Sequence, residues 1–364
     1  MNRHFIRHLG ILLVLVLLSV AFSASALADE VAAVAQLGEA EPTVGEVEAV
    51  GQGPVALPER SDAEAEALSN GSTVAINKKN FPDEGFRYYI LYAIDKNGDG
   101  KLSKSEISGT TTIELGIMDE VGSLKGIERF TNLKTLEVEM GDFSSVDLKK
   151  LKKLERLALS ACEDLKKLDV SKNTKLKELY CDSCALKNLD LSKNTKLEKL
   201  NCRGNNLTKL NLSKNTKLTW LDCGDNKLTK LDLSKNTKLD TLVCDSNKLT
   251  SLSLAKNKQL TWLEAQDNKI TALDLSKNTK LEDAFVLGDS LKTVKACVGT
   301  TLRINTLDYY YYDVTFSDWY SSVPSVVAIS SRDGYVYAKC ASKGSATIYY
   351  RKNGSQCSVA VSVY

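Results

Sequence analysis

Histidine is almost missing from this 364-residue chain: His4 and His8 are the only two, and both lie in an apolar N-terminal leader. Once that leader is removed none remains. This excludes Ser-His-Asp and Cys-His catalysis, imidazole proton shuttling and His-ligated zinc, and leaves only carboxylate chemistry open to an enzyme. Long apolar runs are equally scarce: after Leu9 to Phe22 no segment is apolar enough to span a bilayer. Aromatic residues are absent from residues 29–75, a stretch rich in Ala, Glu, Gly and Pro that holds ten acids and one base, Arg60. Such a segment cannot bury enough apolar surface to offset its ordering entropy.

The leader itself reads as a secretory signal peptide over 1–28. Arg3 and Arg7 form its basic start, and Ala26-Leu27-Ala28 is a small-x-small cleavage signal, so the secreted chain starts at Asp29. The alternative, an uncleaved anchor, is disfavoured by the shortness of the apolar run. The sequence ends at Tyr364 with neither an apolar tail nor a wall-sorting signal. The expectation is a secreted protein without a covalent anchor, associated with the cell surface at most. Without Arg3 and Arg7 the chain has 46 basic and 46 acidic residues. Because 29–75 is so acidic, the remainder is net basic. We read 29–75 as a disordered acidic linker.

Residues 76–123 form the next unit. Asp95-Lys96-Asn97-Gly98-Asp99-Gly100-Lys101-Leu102-Ser103-Lys104-Ser105-Glu106 satisfies every constrained position of the EF-hand calcium loop. Asp95, Asn97 and Asp99 supply oxygens at alternate positions, and Gly100 permits the sharp turn. Lys101 offers its backbone carbonyl, Ser103 acts through water, and Glu106 closes the shell bidentately. An entering helix is expected over Pro82 to Ile94, with Phe86, Ile90 and Ile94 on one face. The exiting helix is cut short by Gly109-Thr110-Thr111-Thr112. The plain alternative is a metal-free turn rich in Asp and Gly. A single loop of this kind points to a structural calcium ion rather than to a sensor.

From 124 to 294 the chain is periodic. Segments begin at Leu133, Leu154, Leu176, Leu197, Leu218, Leu239, Leu260 and Leu281, stepping by 21 residues except for 22 after Leu154. The unit Leu197-x-x-Leu200-x-Cys202-x-x-Asn205-x-Leu207 carries the leucine-rich-repeat pattern. It predicts a solenoid with a concave parallel sheet and a continuous leucine core. Asn205, Asn226, Asn247 and Asn268 share a column in which amides satisfy turn backbone, and Cys162 and Cys184 occupy it in earlier units. Cys181, Cys202, Cys223 and Cys244 recur where leucine would stand, and Ala265 and Val286 continue the column. All six repeat cysteines are expected to be buried free thiols acting as small hydrophobes.

Outward strand positions should form two columns. One runs Arg156, Glu178, Lys199, Trp220, Thr241, Trp262, Asp283; the other runs Ala158, Tyr180, Asn201, Asp222, Val243, Glu264, Phe285. They vary from unit to unit, whereas the Ser-Lys-Asn-Thr-Lys turn barely changes. Variation of this kind suits a binding face. The candidate partner-binding residues are Tyr180, Trp220, Asp222, Asp245, Trp262 and Glu264, with the indoles expected to be exposed anchors for a protein or glycan. The alternative is that both rings pack on their neighbours and meet no ligand.

Residues 295–364 break the period. Alternating runs at 323–330, 334–339, 346–351 and 357–363, with turns at Asp333-Gly334 and Asn353-Gly354, suggest a β-sandwich. Tyr309 to Tyr312 reads as a strand with alternating burial. Cys297, Cys340 and Cys357 are the only disulfide candidates, with no pair preferred.

Three segments resemble bacterial families. Asn80-Phe81-Pro82-Asp83-Glu84-Gly85-Phe86-Arg87, the calcium loop and Leu124 to Leu133 resemble the N-terminal cap of bacterial leucine-rich-repeat surface proteins. The repeat Leu231-Asp232-Leu233-Ser234-Lys235-Asn236-Thr237-Lys238-Leu239 is similar to that class and, more distantly, to internalins. Ser322 to Ala328 with Lys343 to Ile348 is similar to immunoglobulin-like group 2 modules. The resemblance implies extracellular adhesion or protein binding rather than catalysis, with no nucleic-acid partner and no membrane insertion of the secreted chain. Two other readings compete. One is a non-catalytic subunit tethered through a dockerin-like loop, which a single loop disfavours. The other is electrostatic binding of an anionic cell-wall polymer by two lysine columns: Lys172, Lys193, Lys214, Lys235, Lys256 and Lys277, and Lys175, Lys196, Lys217, Lys238 and Lys280. The ordinary explanation of such columns is a solvated edge that resists aggregation.

Overall fold

The computed structural model describes residues 73–286, 290–305, 316–332, 335–352 and 355–364. The leader, nearly all of the acidic linker, the run Tyr309 to Tyr312 and the dipeptides Asp333-Gly334 and Asn353-Gly354 lie outside the described residues. Among the described residues no helix is long and apolar enough to cross a membrane.

The chain enters through a short strand, β1 (Val74–Ala75), paired antiparallel with β2 (Lys101–Leu102) inside the calcium-type loop. Helix α1 (Glu84–Tyr89) starts at Asp83, whose side chain accepts the Phe86 N–H at 2.8 Å, and continues as a π-helical turn over Ile90–Ile94. Phe86, Ile90 and Ile94 are buried, so the apolar spacing aims this element at the core. Helix α2 (Lys104–Gly109) has only six residues, closed at its start by a reciprocal Ser103/Glu106 capping box. Then β3 (Thr112–Leu115) begins the coil.

The coil follows the 21-residue period. Its strands β4 (Thr135–Glu139), β5 (Arg156–Ser160), β6 (Glu178–Tyr180), β7 (Lys199–Asn201), β8 (Trp220–Asp222), β9 (Thr241–Val243), β10 (Trp262–Glu264) and β12 (Asp283–Phe285) lie side by side. The register runs Glu178, Lys199, Trp220, Thr241, Trp262, Asp283, as the column reading requires. The middle residues Leu179, Leu200, Leu221, Leu242 and Leu263 are wholly buried. Each buried leucine contributes about 2 kcal/mol of transfer free energy, so the spine of the molecule is apolar.

Two side-chain ladders hold the turns together. In the first, Asn226 accepts from Leu207 N at 2.9 Å and donates to the Cys202, Cys223 and Gly224 carbonyls. Asn205, Asn247 and Asn268 repeat the pattern. In that column Cys184 donates its thiol to Leu159 O at 3.1 Å, a weaker copy of the amide bond. The second ladder lies in the Ser-Lys-Asn-Thr-Lys turns. Asn215, fully buried, donates to Leu191 O at 3.1 Å and to Asn194 O at 2.9 Å in the preceding turn. Asn173, Asn194, Asn236, Asn257 and Asn278 do likewise. Each of these asparagines also joins two tight turns: Asn215 N bonds Leu212 O, and Leu218 N bonds Asn215 O. The asparagine of the repeated turn is therefore constant because it is structural, even where the turn reads Ala-Lys-Asn-Lys-Gln at 255–259.

The C-terminal strands continue from the coil. Strand β14 (Thr301–Asn305) pairs parallel with β12, and β17 (Tyr335–Cys340) and β16 (Val327–Arg332) extend the same 12-stranded sheet antiparallel. A second sheet of five strands runs β11 (Ala272–Asp274), β13 (Thr293–Ala296), β19 (Ser355–Val363), β18 (Gly344–Lys352) and β15 (Phe316–Ser321). The alternating runs thus form β16 to β19. Cys340 and Cys357 stand in different sheets, not on neighbouring strands, and the six repeat cysteines, Cys297 and Cys340 are free thiols. Burial pushes the Cys340 thiol up to about 11 and holds Cys181, Cys202, Cys223 and Cys244 well above the ordinary thiol value.

Replacing Asn215 by alanine removes the second hydrogen bond from each of the Leu191 and Asn194 carbonyls, which keep only their backbone bonds, and opens a small void. The expected loss is about 2–3 kcal/mol, read as a lower denaturant midpoint at an unchanged slope. Exposed Thr216→Ala in the same turn serves as the control, with little change.

Candidate functional site on the concave face

The strand register brings Tyr180, Trp220, Asp222, Trp262 and Glu264 onto one face, with Asp245 one residue past the buried Cys244. The aromatic residues form two groups. Tyr180 and Trp220 meet at 6.4 Å between ring centroids, and the Arg156 guanidinium lies 4.6 Å from the Tyr180 ring. Arg156 is fixed by Glu137 at 2.6 Å and by Glu178. Trp262 and Phe285 meet at 5.3 Å, and Arg303 lies over Trp262, Phe285 and Tyr337 at 5.9, 5.4 and 4.9 Å. Asp283 holds Arg303 at 2.7 Å. Both indoles are half-buried in these contacts, so the expectation of freely exposed rings is corrected: each presents an edge or face from a packed pair.

Between the groups lies a charged row that the outward columns, taken singly, do not reveal. Arg203 makes a bidentate pair with Asp245, 2.8 Å on each arm, two turns and 42 residues away, and approaches Asp222 at 3.5 Å. Gly224, in the intervening turn, makes the reach feasible. A Cβ there would come within 2.3 Å of the Arg203 guanidinium and 2.5 Å of the Asp245 carboxylate. A glycine in an otherwise charged column, Asp182, Arg203, Gly224, Asp245, was the sequence signal for it. Trp262 donates its indole N–H to Glu264 at 2.9 Å.

Burial governs the electrostatics. Desolvation raises Asp222 to about 6 despite the Arg203 charge, and raises Asp182 and Glu264 as well. Burial acts to lower Arg203, but the Asp245 bonds outweigh it and keep the guanidinium charged. This half-buried acidic row is costly to ionise alone, and a cationic or hydroxyl-bearing partner would relieve that cost.

The calcium-type loop stands in the N-terminal cap. Gly98 and Gly100 have φ of 67° and 72°, the left-handed backbone the loop sequence requires. Asp95 is buried and accepts from Gly98 N at 2.9 Å and Gly100 N at 2.9 Å, and burial raises its carboxyl above the ordinary range. Asp99 accepts from Lys101 N at 2.8 Å, and Asn97 donates to Asp99 at 3.2 Å. Glu106 accepts from Lys96 N, Ser103 N and Ser103 Oγ at 2.8, 2.8 and 2.7 Å. Burial acts to raise Glu106, but those bonds bring it below its ordinary value. Among the described residues no three acidic or thiol side chains converge as a metal cage. A cleft of about 720 Å³ beside the loop, lined by Tyr89, Lys96, Asn97, Ser103 and Glu106, opens this end to solvent.

No protein-family model and no curated protein matches the chain. Among solved structures, internalin C2 of Listeria monocytogenes is 26% identical, spans 61% of this chain and 100% of its own, and superposes with a TM-score of 0.55. InlP of Listeria monocytogenes spans 80% and 99% at 15% identity and a TM-score of 0.48. InlJ of the same organism, whose functional domain includes a cysteine ladder, spans 82% and 100% at 18% identity and 0.29. The internalin C2 match and the coil itself show a leucine-rich-repeat solenoid of internalin-like fold.

The acidic row fixes a pH response. With its folded-state value raised to about 6, Asp222 is neutral in both states below about pH 4 and costs the fold nothing there. Its stability contribution is lost as pH rises from about 4 through 6, up to about 3 kcal/mol. Melting curves of wild type and Asp222→Asn should therefore diverge with pH, the variant gaining relative to wild type between pH 5 and 7.5. Parallel curves would refute the raised value.

Proposed function

We propose that this chain is a secreted, non-catalytic adhesion protein that binds an extracellular protein or glycan on its concave face. The observation that carries the reading is the pair of aromatic groups, Tyr180/Trp220 and Trp262/Phe285, flanking the half-buried row Arg203, Asp222, Asp245 and Glu264. Packed aromatics beside desolvated charges are the composition of binding hot spots. The likeness to internalin C2 supports an extracellular binding role. In this reading the strands after residue 294 serve as an immunoglobulin-like C-terminal unit, and Arg303 lends that unit's first concave strand to the binding surface.

We assign one structural calcium ion to the loop. Asp95, Asn97, Asp99, the Lys101 carbonyl and Glu106 would hold it, with Ser103 acting through water; the all-oxygen donor set and the two left-handed glycines fit a hard cation. The ion would supply charge compensation for the buried Asp95 carboxylate and anchor the cap against β1. Glu106 would exchange its bonds to Lys96 and Ser103 for the ion, so the capping box competes with calcium and keeps affinity modest.

Two experiments test these assignments. First, the secreted chain is immobilised, and a partner captured from cell-surface extracts is identified and titrated. Trp220→Ala and Trp262→Ala should each weaken it by more than about 1 kcal/mol, while melting falls by no more than the loss of one aromatic pair allows, about 1 kcal/mol. Undiminished affinity in the double variant moves the site off the concave face. Second, calorimetry with millimolar calcium should give heat and a higher melting temperature for the wild-type chain but not for Asp99→Ala. Identical behaviour of the two would remove the calcium assignment.

A further inference from the structure

The lysine columns are a second surface, independent of the concave face. Each Ser-Lys-Asn-Thr-Lys turn places an exposed lysine on either side of a fully buried asparagine, as Lys214 and Lys217 flank Asn215. The asparagines bond turn to turn, Asn215 Nδ2 to Asn194 O at 2.9 Å and Asn236 Nδ2 to Asn215 O at 2.9 Å. The backbone beneath the lysines is therefore a fixed rail, with about 5 Å from one turn to the next. One column runs unbroken at 21-residue steps from Lys172 to Lys277; the other runs from Lys175 to Lys280, interrupted only at Gln259.

Of these lysines, Lys280 donates to Gln259 at 2.6 Å, and the others act on the neighbouring carboxylates only through their charge. Among the described residues none of them forms a salt bridge, whereas Lys177, just before β6, pairs with Glu155 at 2.7 Å and Lys199, on the concave face, pairs with Glu178 at 3.4 Å. The nearest repeated acids, Asp169, Asp190, Asp232 and Asp274, are tied to the serine N–H groups of their own turns. In the middle of the array that acid is absent: Asn211 and Ser253 take its place. The opposite face mixes its acidic row with Arg156, Arg203 and Arg303, whereas this one repeats lysine at every turn, which draws an anionic partner here.

Repetition identifies the partner. A globular protein presents an irregular surface, and the varied concave columns suit it. A site that repeats one pair of ammonium groups every turn suits a ligand that also repeats along a line. Lysine binds phosphate oxygens as a point charge without demanding planar bidentate geometry. We propose that the lysine rail binds a linear polyphosphodiester laid along the solenoid axis, leaving the concave face free for its own partner.

The test uses the secreted chain against immobilised poly(glycerol phosphate). Retention should fall at least about tenfold between 50 and 200 mM salt, because the contacts are ionic. Replacing Lys193, Lys214, Lys235 and Lys256 together by glutamine should cut affinity at least about tenfold at low salt with unchanged melting. Lys177→Gln with Lys199→Gln, and Trp220→Ala with Trp262→Ala, should leave it intact, so failure of the concave-face reading does not touch this one. Salt-insensitive or absent retention, full retention by the four-glutamine variant, equal retention on poly-glutamate, or tighter retention on anionic lipid vesicles would each overturn the proposal.

Discussion

The backbone of the convex turns must be satisfied without a helix, and the rest of the molecule depends on how that is done. A unit of 21 residues that spends three on a strand leaves a path too short to carry a full helix back across the coil. Its convex carbonyls would keep one backbone bond each, and strand-exit carbonyls such as Cys202 O would lose their amide donors, at a cost of about 1–3 kcal/mol each. Carboxamide side chains meet the need. One asparagine per turn serves the strand exit and another the convex corner, each bridging its own turn and the one before. The ladders fix the pitch, the pitch fixes the strand register, and the register assembles the concave columns.

Regularity in the support allows irregularity on the face it supports. Because the leucine core and the amide ladders set the backbone, outward side chains are free to differ from turn to turn, and they do. The same regularity lets side chains cooperate across turns. Arg203 finds Asp245 two coils away because the coils stack in constant register and Gly224 leaves the space between them. Where the acids have no such partner at full strength, as at Asp222, burial rather than charge decides their protonation.

Much of this was legible in the sequence because a 21-residue period converts directly into neighbours in space. The parallel register, the leucine spine, the Asn205 column and the buried cysteines all follow from it. The buried face of α1 and its π-helical continuation follows from the four-residue spacing of Phe86, Ile90 and Ile94. The Asn173 to Asn278 ladder was visible only as an unchanging turn, since invariance alone does not say which atom does the bonding. The Arg203–Asp245 pair left only the trace of a glycine in a charged column, because it skips a turn and crosses the gap that Gly224 leaves. In the C-terminal region, alternation marked strands but not their partners, so β13 and β14 joining the coil, and the separation of Cys340 from Cys357, came only with the sheets. The placement of two tryptophans in one column was legible; their half-burial depended on Tyr180 and Phe285, which pack beside them.

A coil of this construction is also a spring. Pulled from its ends, it would peel turn after turn, and each turn released would pay out about 70 Å of extended chain. Most neighbouring coils are joined by short amide bonds that yield singly. The guanidinium of Arg203 clasps a carboxylate two coils away, so the three turns from Arg203 to Asp245 cannot separate individually until that clasp opens. That clasp, together with Arg156 joining Glu137 and Glu178 on the coils to either side of it, stiffens the concave face against tension, so a load would unwind coils without such ties before it reached the contact surface.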